Sequence, residues 1–223
     1  MQKNATRYGQ VSKHLLMPKI VDIEERCNQI AQAACHAIMG KGIDKTTMVD
    51  IANQAGVTTG MITHYYKSKN EILAAALRLI FHRTEQRLDT RHLPGEDPLF
   101  SILKETLPLD AERHAESAVW VSFWGAVSND EELARVNLAL HQDAEELYAR
   151  VIRTAWPESA NWQPAIFLQT CHMVLSFLNG LTASAVTSPQ SWPGDRLLQS
   201  LQLQLSLVHS WAESTSQQSA TTR

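Results

Sequence analysis

Thr58, Thr59, Gly60, Thr63 and His64 form a cluster of small and hydrogen-bonding residues, and Lys67 and Lys69 follow at once. A neutral, donor-rich face flanked by cations suits the surface of a nucleic acid duplex. There, cations meet phosphates and short polar groups meet base edges. No catalytic constellation competes with this reading. The chain has no G-x-S-x-G elbow, no glycine-rich phosphate loop and no cysteine with a convincing base nearby. His114 with Glu116, and His141 with Asp143, read as ordinary surface pairs on helices. The chain is therefore not expected to be an enzyme. The alternatives are a helical enzyme that binds a small molecule, or an adaptor without DNA binding. An adaptor would have no use for the Thr/His/Lys face.

The elements that must carry this cluster are two short helices around a tight turn. Thr47 stands where an N-cap belongs, and Asp50 three residues later can accept a bond from the Thr47 amide. Val49, Ile51, Ala52 and Ala55 supply an apolar face. Gly56 follows where a left-handed cap is wanted, a conformation that side chains resist. Val57 turns inward, Thr58 caps the next helix, and Met61, Ile62, Tyr65 and Tyr66 give that helix an apolar face. Such a helix-turn-helix can place its second helix in a major groove, which is about 12 Å wide. A plain helical hairpin has the same spacing, and only the residues left over after packing favour the DNA reading.

The run IANQAGVTTGMITHYYKSKNEIL resembles the signature of the TetR family of one-component transcriptional repressors, and the chain resembles that family in size and layout. Within it, HYYKSKNEIL and WVSFWGAVSNDEELARVN are most similar to the choline-responsive, betaine-pathway (BetI-like) branch. The resemblance implies that the helix at about Thr58–Tyr65 enters the major groove. Thr59, Gly60 and Thr63 then fall where family members touch bases. Thr47, Thr58, His64, Tyr65 and Lys69 fall where they hold phosphates. The chemistry agrees, since hydroxyls, helix N-terminal amides and a lysine suit phosphate oxygens. Thr63 stands where the family usually has tyrosine, and Tyr66 where it has phenylalanine.

A second set of residues points to a ligand. Trp120 and Trp124 share one helix face with Phe123 beside them. Aromatic residues at helical spacing are usually core. As a pocket wall, joined by Tyr148, Trp162 and Phe167, they would suit a quaternary ammonium, each aromatic contact being worth roughly 0.5–2 kcal/mol. Choline or betaine aldehyde is the effector that the resemblance implies.

The charge is divided along the chain. Residues 1–95 hold 13 Lys/Arg against 8 Asp/Glu, and residues 96–223 hold 7 against 15. A basic front and an acidic back fit a DNA reader joined to a regulatory body. Cys27, Cys35 and Cys171 lack C-x-x-C spacing and read as small apolar residues in a reducing cytoplasm. The nine histidines form no ligand pattern, so neither a metal nor another cofactor is expected. No signal peptide is evident. Residues 166–186 are apolar over a membrane-spanning length, but Gln169, His172 and Asn179 make them a buried interface helix rather than a membrane segment.

The expected fold is all-α. Residues 1–21 read as a flexible arm, with Met17 as an alternative start on the resemblance of MPKI to the branch. Residues 22–68 form a three-helix, helix-turn-helix DNA-binding domain. Residues 69–212 form a helical ligand-binding and dimerisation domain, entered by a long helix from about Asn70 towards Leu93. Residues 213–223 read as a disordered tail. Helices at about 162–186 and 195–211 are expected to pair two chains into a homodimer. Leu197, Leu198, Leu201, Leu205 and Val208 mark one apolar face of the last helix, and Leu203 and Leu207 a second.

Overall fold

The computed structural model describes residues 23–88 and 95–221. The expected arm, and the last residues of the long helix predicted to reach Leu93, lie outside them. Among the described residues the architecture is all-helical, with no strand. The N-terminal part contains α1 (Ile23–Lys41), α2 (Met48–Ala55) and α3 (Thr59–Tyr65), and α4 (Lys69–Leu88) leads out of it. The C-terminal part contains α5 (Pro98–Leu103), α6 (Ala111–Val127), α7 (Glu131–Ala155), α8 (Pro164–Thr187) and α9 (Gly194–Thr221).

Each start has a local cause. Asp97, Asp110 and Asp130 cap α5, α6 and α7 by accepting backbone N–H bonds from Phe100, Arg113 and Leu133 at 2.8, 2.8 and 3.0 Å. Proline occupies the first turn of α5 and α8, where its missing N–H costs nothing. Ser68 caps α4, its hydroxyl accepting from the Glu71 amide at 3.1 Å.

Three apolar clusters hold the chain together. Ile30, Ala34, Ile51, Ala52, Ile62, Tyr66, Ile72 and Ala76 tie α1, α2, α3 and the start of α4. The Tyr66 hydroxyl that distinguishes this chain from the family pattern donates to the Cys27 carbonyl at 3.2 Å, so the extra polar atom is satisfied. A second, larger cluster fills the C-terminal body around Leu99, Ile152, Leu175, Leu178, Leu197 and Leu201. The third joins the two: Ile38 and Ile43 pack with Leu73, Leu77 and Ile80 of α4, Val119 and Phe123 of α6, and Leu133 and Leu140 of α7. The two parts thus share a core as well as a connecting helix.

Helix α8 is long and apolar enough to cross a membrane by length and composition. It packs against α6, α7 and α9. Its neighbour α9 departs from expectation. The sequence reads as fraying after Trp211 into a disordered tail over 213–223, yet the helix continues to Thr221. Ala212 is buried, Trp162 Nε1 donates to Glu213 Oε1 at 2.7 Å, and the Thr215 hydroxyl donates to the Trp211 carbonyl at 2.7 Å. These contacts hold a segment that composition alone marks as loose. The two faces of α9 also separate. Leu197, Leu201, Leu205 and Val208 are buried within their own chain, whereas Leu203 and Leu207 stand 62% and 57% exposed. The first face is therefore core, and the second is what α9 presents outward. Leu168 of α8 is exposed as well.

Candidate nucleic-acid interface and effector pocket

The helix-turn-helix forms as its residue types require. The Thr47 amide donates to Asp50 Oδ2 at 3.0 Å, and the Asp50 amide donates to Thr47 Oγ1 at 3.2 Å, closing the expected capping box. Lys41 adds an ion pair to Asp50 Oδ1 at 2.5 Å. The bonds from Lys41 and Thr47 hold the Asp50 carboxyl down at about 2. Gly56 sits at φ 66°, the left-handed cap. Thr58 caps α3, accepting from the Met61 amide at 3.2 Å.

With Ile62 buried beneath it, α3 leaves Thr58, Thr59, Gly60, Thr63 and His64 exposed on the opposite side. The Thr63 hydroxyl donates to the Gly60 carbonyl at 3.1 Å, so it offers a partner its lone pairs and its methyl rather than a proton. Thr47 Oγ1 donates to Asp50 Oδ2 at 2.8 Å, a further bond that serves the cap. Tyr65 is half-buried, with the His64 ring edge-on to it at 5.1 Å. Lys69 is half-buried at the first position of α4. Its ammonium donates to the Ile43 carbonyl at 2.6 Å and ties the start of α4 to the turn after α1. Lys67 is exposed, and its backbone amide is anchored to Glu71 Oε2 at 2.7 Å. It is the better-presented cation of the two.

A cavity of about 120 Å³ opens in the C-terminal body between α4, α6, α7 and α8. Trp120, Trp124 and Tyr148 line it, as the sequence suggested. The two indoles lie 6.2 Å apart, tilted by 36°. The other three expected wall residues are elsewhere. Phe123 is fully buried in the core between the two parts. Trp162 packs 6.1 Å from Trp156 at the foot of α9. Phe167 lies under the Arg153 guanidinium at 3.5 Å. Spacing on one helix, or aromatic type alone, does not tell a wall from a core.

Sequence reasoning missed the charged end of the cavity. Arg87, Arg113 and Glu116 all line it. Glu116, expected to be a surface residue paired with His114, has a side chain only 8% exposed, bridged by Arg87 at 2.7 Å and by Arg83 at 3.5 Å. The spacing held a signal, since Glu116, Trp120 and Trp124 recur every four residues on one face of α6. His141, another residue expected on a plain surface, also reaches the cavity and pairs with Glu145 at 3.4 Å. Burial pushes Tyr148 up to about 12, which keeps its hydroxyl protonated. Burial likewise raises the thiols of Cys35 and Cys171 to about 11, in keeping with packing rather than reactivity.

The two parts are also joined by a polar clasp. Asn70 at the start of α4 donates from Nδ2 to Asp130 Oδ2 at 3.0 Å and to Glu132 Oε2 at 2.9 Å, at the turn into α7. Among the described residues, Glu158, His209 and Glu213 bring three potential metal-ligand atoms within 4.8 Å of one another. Here His209 Nε2 is bonded to Glu158 at 2.7 Å and Glu213 to Trp162, so the trio serves as a hydrogen-bonded knot that fastens α9 to the turn before α8.

An exposed hydrogen-bonding helix, joined through a shared core to a cavity-bearing helical body, is the arrangement expected of a transcriptional regulator. Comparison with known proteins gives the family. The description "Bacterial regulatory proteins, tetR family" matches residues 30–83, and "BetI-type transcriptional repressor, C-terminal" matches residues 95–207. The chain belongs to the TetR family, with a C-terminal body of the BetI type; its relatives are named as regulators, not enzymes.

It is 27% identical over 179 residues to the regulator BetI of Cronobacter sakazakii, covering 78% of this chain and 86% of that relative. It is 33% identical over 110 residues to the regulator PksA of Bacillus subtilis, covering 48% of this chain and 54% of that relative. It is 30% identical over 125 residues to BetI of an Escherichia coli strain, 54% of this chain and 64% of that protein. Among solved structures, a transcriptional regulator from Rhodococcus sp. Rha1 matches with a TM-score of 0.71 at 22% identity, over 83% of this chain and 97% of that one. A putative transcriptional regulator from Saccharomonospora viridis in complex with choline matches with a TM-score of 0.64 at 20% identity, over 80% and 94%. At such identities the structural matches speak for the fold.

Proposed function

We propose that the protein is a cytoplasmic, homodimeric repressor that binds a near-palindromic operator and leaves it when a small molecule fills the cavity between α4, α6, α7 and α8. One observation carries this reading. Helix α6 lines the cavity with Trp120 and Trp124 while Phe123, on the same helix, is fully buried against α1 and α4. A ligand that favours a displaced α6 therefore favours a displaced α4, whose first residue lies four positions after the end of α3. A difference of about 3 kcal/mol between the two states would change DNA affinity roughly 150-fold. The exposed leucines Leu168, Leu203 and Leu207 support pairing of two chains through α8 and α9. Two related α3 helices would then read successive grooves about 34–36 Å apart.

In this reading Thr59, Gly60 and Thr63 touch bases. Thr47, Thr58, His64 and Tyr65 sit at the phosphates, with Lys67 supplying the charge first assigned to Lys69. Lys67→Ala should weaken binding to specific and random DNA alike and flatten the salt dependence, whereas Thr59→Ala should relax preference at one base position. Gel-shift titrations at two salt concentrations measure both. Equal losses on specific and random DNA for the two variants would refute the division of labour. Choline and betaine aldehyde, which the branch resemblance implies, are the first effectors to test, and the choline complex of the Saccharomonospora viridis neighbour supports that choice.

A further inference from the structure

We infer that Glu158, His209 and Glu213 form a site for a divalent transition-metal ion, Zn²⁺ by the chemistry of its donors, which clamps the end of α9 to the turn before α8. None of the three residues lines the cavity.

The donors converge from distant parts of the chain. Glu158 lies 51 residues before His209, so no ligand spacing marks the site in the sequence. One ligand atom from each residue nevertheless falls within 4.8 Å of the other two. In a tetrahedral zinc site with bonds near 2.1 Å, the ligand atoms stand about 3.4 Å apart. Small side-chain rotations therefore bring these three onto one ion, with water in the fourth position. An imidazole nitrogen beside two carboxylate oxygens suits Zn²⁺, whereas Mg²⁺ and Ca²⁺ favour oxygen alone.

The charge at the site also calls for a cation. Among the described residues, neither Glu158 nor Glu213 pairs with a lysine or arginine; their partners are His209 and Trp162. Arg153 reaches the same turn, but it donates to the Ser159 carbonyl and lies over the Phe167 ring. A carboxylate only accepts, so in the metal-free knot the His209 Nε2 proton points at Glu158. The ion takes the place of that proton, gains Glu213 as its third ligand, and brings two positive charges to where two carboxylates meet.

The ligands are held from behind. Trp162 Nε1 donates to Glu213 Oε1 at 2.7 Å. The His209 ring lies edge-on to Trp156, with centroids 4.6 Å apart, and to Trp162 at 6.1 Å. Both indoles are buried, so the core itself orients two of the three ligands. An outer hydrogen bond to a ligating carboxylate and an apolar wall are the means by which metal sites fix their ligands.

Calorimetric titration of the untagged, full-length protein with Zn²⁺, after removal of metal by a chelator, tests the site. One ion per chain should bind, Mg²⁺ should not compete, and the melting midpoint should rise by about 5–10 °C at Zn²⁺ a hundred times its Kd. Co²⁺ should quench part of the tryptophan fluorescence, because Trp156 and Trp162 border the site. His209→Gln should weaken Zn²⁺ binding about tenfold or more and remove that quenching. Glu213→Gln is the milder variant: its amide oxygen still accepts from Trp162 while the ligand charge is lost, and binding should again fall about tenfold. Melting curves in chelator show that both variants fold. His172→Gln is the control, since His141 and His172 approach Glu145 at 3.4 and 3.2 Å and offer Zn²⁺ another place to settle. It should leave binding unchanged. No Zn²⁺ binding by wild type, full-strength binding by His209→Gln, or loss of binding in His172→Gln would overturn the inference.

Discussion

Replacing Phe123 by alanine separates the two jobs given to α6. The ring is fully buried where α1, α4, α6 and α7 meet, among Ile38, Leu73, Leu77, Ile80 and Leu140. Removing it leaves a cavity that rigid helices from two domains cannot easily close. A buried Phe→Ala change costs about 3–5 kcal/mol. For a chain of this size each kcal/mol lowers the melting temperature by about 2–4 °C, so the midpoint should fall by about 6–20 °C. Trp120→Ala is the control. Its indole is half-buried and borders the cavity, so melting should drop far less while ligand binding is lost. Differential scanning calorimetry at one fixed protomer concentration measures both variants, because assembly makes the midpoint depend on concentration. If Phe123→Ala melts within about 2 °C of wild type, or Trp120→Ala falls as far as Phe123→Ala, then α6 is not the two-sided element described here.

Gly56→Ala should cost about 1–2 kcal/mol from backbone strain alone. The φ of 66° resists a side chain, while an added Cβ would meet nothing within 4 Å; urea unfolding of Gly56→Asn should show a smaller loss. Asp50 titrates well below its ordinary 3.8 because the folded state favours its ionised form. Its contribution is therefore full above the unfolded value and is lost as pH falls from about 4 towards 2. The melting gap between wild type and Asp50→Asn should narrow from pH 5 to pH 3; a constant gap would show that the capping and Lys41 bonds do not act through this charge. Light scattering should give twice the 25.0 kDa chain mass, and Leu203→Glu with Leu207→Glu should return the single chain. A wild-type protein that stays at 25.0 kDa at micromolar concentration removes the dimer.

Local chemistry was legible in the sequence. The Thr47–Asp50 box, the Gly56 turn and the Thr58 cap each depend on residues a few positions apart, and each formed as read. Facing and pairing across helices were harder to read. At about 100° per residue, position 123 lies roughly 60° from 120 and 100° from 124, on the far side of 120. That is enough to send Phe123 into the joint while both tryptophans reach the cavity. The bond from Lys69 to the Ile43 carbonyl could not be read, because that partner is distant in sequence and carries no side-chain mark. Glu116 looked like a surface residue because Arg83 and Arg87 come from a helix that ends more than twenty residues earlier. The end of α9 looked loose because Trp162, which holds Glu213, belongs to another part of the chain.

The split face of α6 has a consequence for how such a regulator can be retuned. Trp120 and Trp124 border the cavity and also pack against the cluster in which Phe123 sits, the Trp120 ring meeting the Phe123 ring edge-on at 6.2 Å. A new lining is therefore felt at the joint, and in the proposed repressor ligand preference and coupling to the operator would be retuned together rather than one at a time.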